Sequence, residues 1–217
     1  MFCAVVWAGG FVSPATAQSL PLREAPIIEP AQAVPPPRAA SAPLAPPSPQ
    51  SVVSTFLDAC VLNEGEMYAV TDWALTQGFE ALDPLRTGAE DLLGGVAGTV
   101  LSAPGSGGHV LLAVSTDHRC LVWTEQTNGP LLRVAFKKMI SGLGGKGARV
   151  QSVIDRNVSS AGAWRNQSQW RYRRVGGSKD FGLGSATTLG NTLSTQLLHF
   201  APMAPAAPPY PDGVPSR

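Results

Sequence analysis

The positions of the prolines decide which parts of this chain can fold. Proline lacks a backbone N–H and fixes its own φ, so helix interiors and central strands exclude it. Of 20 prolines, eleven lie at or before Pro49 and six at or after Pro202; only Pro84, Pro104 and Pro130 fall between Ser51 and Phe200. The 217-residue chain thus divides into two proline-rich ends and a folding-competent middle, residues 51–200. A domain of that size buries about two thirds of its surface, so no cofactor is expected as a folding requirement.

Residues 1–17 have the pattern of a signal peptide. Phe2 to Val12 are apolar or small, and Ala15-Thr16-Ala17 supplies small residues at the −3 and −1 positions of a cleavage site. No Lys or Arg precedes the apolar run, so one usual element is missing. The run is shorter than the about 20 residues that cross a bilayer, and no transmembrane segment is expected in the mature chain. A buried N-terminal helix is the competing reading, which Gly9, Gly10 and the prolines that follow disfavour. Cys3 as a lipid anchor would need an apolar run before it, and only Met1 and Phe2 stand there. Residues 18–50 contain ten prolines and read as an extended linker; residues 201–217 read as a similar tail.

Removal of Cys3 with such a peptide leaves Cys60 and Cys120 as one pair. In an oxidising compartment such a pair is expected to form a disulfide, worth about 4 kcal/mol for a loop of this length. The alternative is a nucleophilic cysteine with His109, His118 or His199 as its base. No third orienting residue is recognisable, and the absence of Cys-x-x-Cys argues against a thiol–disulfide oxidoreductase.

Hydrophobic periodicity organises the middle. Val53, Phe56, Leu57 and Cys60 recur at helical spacing. Asn63 stands three residues before Glu66, a capping-box pattern for a second helix carrying Met67, Val70, Trp73 and Ala74 and ending at Gly78. Asp83-Pro84 opens a short helix ending at Gly94-Gly95. A weak strand is expected within 96–102, and 110–115 and 120–124 form a hairpin. Asn128-Gly129-Pro130 starts a helix with Leu131, Leu132, Ala135, Phe136, Met139 and Ile140 on one face. Beyond it, Arg149 to Val158 alternates, with Val150, Ser152 and Ile154 on one side. Ala163 to Arg174 alternates best, with Trp164, Trp170 and Tyr172 one way and Arg165, Gln167, Gln169, Arg171 and Arg173 the other. Gly184 to His199 supplies a last strand, broken near Gly190. The expected class is α+β: an N-terminal helical pair, an antiparallel sheet covered on one face, and one further covering helix.

Few residue sets point to chemistry. Three scattered histidines do not have metal-ligand spacing, and Asp117-His118 reads as a polar turn. Glu64/Glu66 and Glu90/Asp91 read as helix-terminus charges. The glycines of 142–147 follow a helix and precede a strand, the reverse of a phosphate-binding loop. Charge is more informative. Residues 51–132 carry a formal −8 and residues 133–200 a formal +9, within a chain whose net charge is only +1. Two readings follow: the halves neutralise each other, or Arg165, Arg171 and Arg173, with Gln167 and Gln169 between them, form a binding face for carboxylates or phosphates. Double-stranded nucleic acid does not fit an exported chain of this net charge.

The series Phe56-Leu57-x-x-Cys60, Ala69-Val70-x-x-x-Ala74-x-x-x-Gly78-Phe79 and Cys120-x-Val122-Trp123 resembles small exported proteobacterial proteins of uncharacterised function, over about half of the core. That resemblance implies a periplasmic or secreted location and transfers no catalytic residue. The functional expectation is a non-enzymatic binding domain for an envelope component or protein partner. The alternatives are an envelope hydrolase or transferase, favoured by a deep pocket holding His109 or His199 beside a carboxylate, and an inhibitor or immunity-type protein.

Overall fold

The computed structural model describes residues 45–160 and 163–204. The expected signal peptide at 1–17, most of the linker and nearly all of the tail lie outside the described residues.

Helix α1 (Pro49–Thr55) starts where Ser48 accepts a hydrogen bond from the Ser51 N–H and Pro49 fills the first turn, where no N–H is needed. It runs into a π-helical turn, Phe56–Val61, closed by the Leu62 N–H on the Leu57 carbonyl at 3.0 Å. The wider turn places the consecutive residues Ala59, Cys60 and Val61 all in the core. Asn63 does not cap the second helix. Its side-chain N–H groups donate to the Asp58 and Ala59 carbonyls, both at 2.9 Å, satisfying acceptors that the π turn leaves over. Helix α2 (Met67–Thr76) is capped instead by Glu66, whose carboxylate accepts from the Ala69 N–H at 2.7 Å and the Tyr68 N–H at 3.2 Å.

The sheet has eight antiparallel strands in the order β1-β2-β3-β4-β8-β7-β6-β5. The first meander is β1 (Glu80–Leu82), β2 (Gly98–Ser102), β3 (Val110–Ser115) and β4 (Cys120–Asn128). Helix α3 (Pro84–Thr87), capped by Asp83, and a 3-10 turn, Glu90–Leu93, lie between β1 and β2. The second meander is β5 (Arg149–Ser160), β6 (Ala163–Arg173), β7 (Asp180–Thr188) and β8 (Leu193–Met203). Helix α4 (Gly129–Gly145) joins the two, and the last strands of each, β4 and β8, pair at the centre of the sheet. The segment expected as one broken strand from Gly184 is thus the hairpin of β7 and β8. Its glycines at 182 and 184 belong inside β7 because neighbouring side chains occupy the space above them.

Helices α1, α2 and α4 cover one face. Phe136 of α4 stands between Phe56 and Trp170, with ring centres 5.8 and 5.5 Å away. The buried positions of α4 are Leu132, Phe136, Ile140 and Leu143; Leu131, expected among them, is 57% exposed because it lies off that stripe. In β5 a register shift between Ser152 and Ile154 sets Val153 out as a bulge. Ile154 therefore pairs with Gln169, on the face opposite Val150 and Ser152, which corrects the uninterrupted alternation. Over the first meander the second face has its own small core, where Ala89 and Leu93 pack on Val100 and Ala113.

Candidate functional site

Beyond that small core, the second face of β5–β8 has no covering element among the described residues. Strand β6 decides what it presents. Asn166, Ser168, Trp170 and Tyr172 turn toward the helical layer and are buried. Trp164 shares their parity but lies beyond the helices, 62% exposed. Arg165, Gln167, Gln169, Arg171 and Arg173 take the other parity and are half-buried on the uncovered face.

Register adds neighbours that the sequence did not identify. From β5, Arg149 stands beside Arg173, Gln151 beside Arg171 and Arg156 beside Gln167. From β7, Gly182, Gly184 and Ala186 stand beside Arg171, Gln169 and Gln167. These small residues form a trough into which longer side chains fold. The Gln169 amide nitrogen lies 2.9 Å from where a Gly182 Cβ would be, and the His199 ring occupies the space a Gly184 Cβ would need. Burial in this trough pushes the His199 pKa down, so its imidazole is neutral at physiological pH.

The guanidinium groups are held in place. Arg165 donates to the Thr195 carbonyl at 3.2 Å, and Arg156 to the Gln167 side-chain oxygen at 3.4 Å. Arg173 and Arg171 take opposite oxygens of Asp180 at 2.6 and 2.9 Å, and Arg171 also reaches the Ala204 carbonyl. The Arg173 hydrogen bond, with Arg171 assisting, holds the Asp180 pKa down to about 2. A shallow cavity of 230 Å³ opens here, lined by Arg149, Gln151, Arg171, Arg173 and Asp180 among others.

Sequence reasoning missed Asp180. The available signal was its rarity, for it and Asp155 are the only acids between Arg133 and Phe200. Asp155 belongs to the other face, where the Lys137 ammonium at 2.8 Å and the Asn166 amide lower its pKa. Of the six ion pairs among the described residues, Arg174 with Glu64 at 3.5 Å is the one that joins the acidic and basic halves. The uncovered face therefore sets five arginines against one carboxylate.

The remaining candidates separate. Cys60 and Cys120 form a disulfide with Cα atoms 5.5 Å apart, both buried, so neither is a free thiol. His118 lies at the tip of the β3–β4 hairpin in a left-handed conformation, φ 63°. His109 does stand beside a carboxylate: Nδ1 is 3.3 Å from Glu125, while Nε2 meets the Gln126 amide at 3.2 Å. Both ring nitrogens are thus engaged, and His109 is absent from the lining of the adjacent 560 Å³ cavity that Glu125 and Trp123 share. No group of three or more His, Cys, Asp or Glu is placed to hold a metal among the described residues. No protein-family model matches the chain, and no curated protein matches it.

Proposed function

We propose that this chain is an exported, periplasmic or secreted, non-enzymatic binding domain whose uncovered β5–β8 face holds the carboxylates or phosphates of an envelope component or protein partner. The observation that carries the reading is the charge on that face: Arg149, Arg156, Arg165, Arg171 and Arg173 against Asp180 alone. Planar guanidinium groups on paired strands suit bidentate recognition of such anions. The hydrogen bonds that fix Arg156, Arg165, Arg171 and Arg173 reduce the ordering cost of binding. The Cys60–Cys120 disulfide accords with an oxidising compartment, and the resemblance to small exported proteobacterial proteins points the same way.

The test must separate binding from folding. Arg171 and Arg173 hold a buried carboxylate, so reversing their charge also disturbs the sheet. Arg156→Glu and Arg165→Glu avoid Asp180. The double variant should keep its thermal midpoint near that of the parent and lose the partners recovered from envelope extracts, with parental recovery falling as salt is raised. Unchanged recovery by the folded double variant would defeat the placement of the face.

A further inference from the structure

A cavity of 640 Å³ opens at one end of the sheet, where residues 62–66, the β3–β4 turn, the β6–β7 loop and the end of β8 meet. Part of its wall is apolar: Leu62, which is 58% exposed, with Phe181, Pro202 and Met203. The rest is polar or charged, and its carboxylates are already engaged. Glu66 caps α2, Glu64 faces Arg174, and Asp180 holds Arg171 and Arg173. Lys179 also lines it and enters no ion pair among the described residues. The formal charges of the lining cancel, and Lys179, the lining cation outside those ion pairs, stands beside an apolar surface.

The wall is also fixed in shape. Glu64 and His118 are both non-glycine residues in the left-handed region, with φ 51° and 63°. Such conformations persist where surrounding structure dictates them, and they concentrate at binding sites. Here the surrounding structure is the disulfide, which joins the two segments, and Gly65, which packs directly on the His118 carbonyl. The Gly65 N–H donates to the Cys60 carbonyl at 2.9 Å, closing the loop onto the crosslink.

We propose that this cavity binds one amphipathic anion, a molecule with a hydrocarbon portion against Leu62, Phe181 and Met203 and a carboxylate or phosphate head beside Lys179. Its volume is in the range of sites for single small molecules. This site goes beyond the uncovered face, with which it shares only Arg173 and Asp180 at one edge. Calorimetric titration of the full chain with octanoate, octyl phosphate, octan-1-ol, acetate and inorganic phosphate tests it. At least one octyl anion should bind at one per chain, about tenfold or more tighter than octanol and than its head group alone. The stronger of octanoate and octyl phosphate identifies the head group. Lys179→Glu and Leu62→Asp change exposed residues and should each weaken that binding about tenfold with the thermal midpoint kept. Arg156→Glu, on the uncovered face, should leave it unchanged. No saturable binding of either octyl anion, octanol binding as tightly as both, wild-type affinity in folded Lys179→Glu, or loss in Arg156→Glu would overturn the assignment.

Discussion

The Nε of Arg173 stands 2.6 Å from Oδ1 of Asp180, whose side chain is only 4% exposed. This bond and that of Arg171 to Oδ2 tie the end of β6 to the start of β7, so two of the arginines on the candidate face also hold the sheet together. They also make stability depend on pH in a defined direction. The Asp180 carboxyl falls from an ordinary 3.8 to about 2 in the folded chain. As pH drops, the unfolded chain takes up this proton first. The contribution is complete above the unfolded value and is lost as pH falls toward about 2. Asp180→Asn should therefore lower the thermal midpoint at neutral pH, and the gap from the parent should close in strong acid. A gap that stays constant across a pH series would show that the ion pair contributes nothing.

Cys60 and Cys120 enclose 60 residues of separation and tie the π turn to the start of β4. The double variant Cys60→Ala/Cys120→Ala should lose about 4 kcal/mol of unfolding free energy, read from denaturant midpoints with the slope unchanged. It should still unfold cooperatively, because the Phe56–Phe136–Trp170 cluster stays intact. Mass spectrometry of the unreduced protein should give one crosslinked peptide, and two alkylatable thiols would refute the pairing.

The two residues of the apparent capping box do separate work, which substitution can resolve. Glu66→Ala removes the acceptor at the start of α2 and should cost about 1 kcal/mol. Asn63→Ala leaves two carbonyls at the end of the π turn without their donor and should cost about 1–3 kcal/mol. Because the residues serve different helix ends, the two losses should add in the double variant. A double variant no worse than either single one would restore a shared cap.

Periodicity revealed most of these elements because burying one face imposes a repeat on the residues that touch it. Val53, Phe56 and Cys60, most of the α4 stripe and the alternation of β6 were legible for that reason. The bulge at Val153 was not, since one extra residue reverses the parity of a strand without a local signature. Nor was the π turn, which buries three consecutive residues where a regular helix would expose one. The pairing of β4 with β8 joins residues far apart in the chain, and their composition does not encode it. The same limit applied to the candidate site. Arg165, Arg171 and Arg173 followed from alternation within one strand, whereas Arg149, His199 and Asp180 reach the site only through register across strands.

Gly65 combines a left-handed backbone with a close backbone contact. Its φ of 65° is one that L side chains adopt at a cost of about 1–2 kcal/mol, and a Cβ there would meet the His118 carbonyl and then the Phe200 ring. The carbonyl is backbone in a hairpin turn whose neighbouring residue, Arg119, is followed directly by the crosslinked Cys120, so it has little room to retreat. Gly88 supplies the comparison: its φ is 69°, yet nothing lies within 4 Å of the added carbon. Gly88→Ala should show the conformational cost alone, about 1 kcal/mol. Gly65→Ala should exceed it by a further 1–3 kcal/mol or so, the range for overpacking a filled site. Equal losses in denaturant unfolding would mean that the contact between residues 65 and 118 relaxes freely, and that the cavity wall built on it is not fixed.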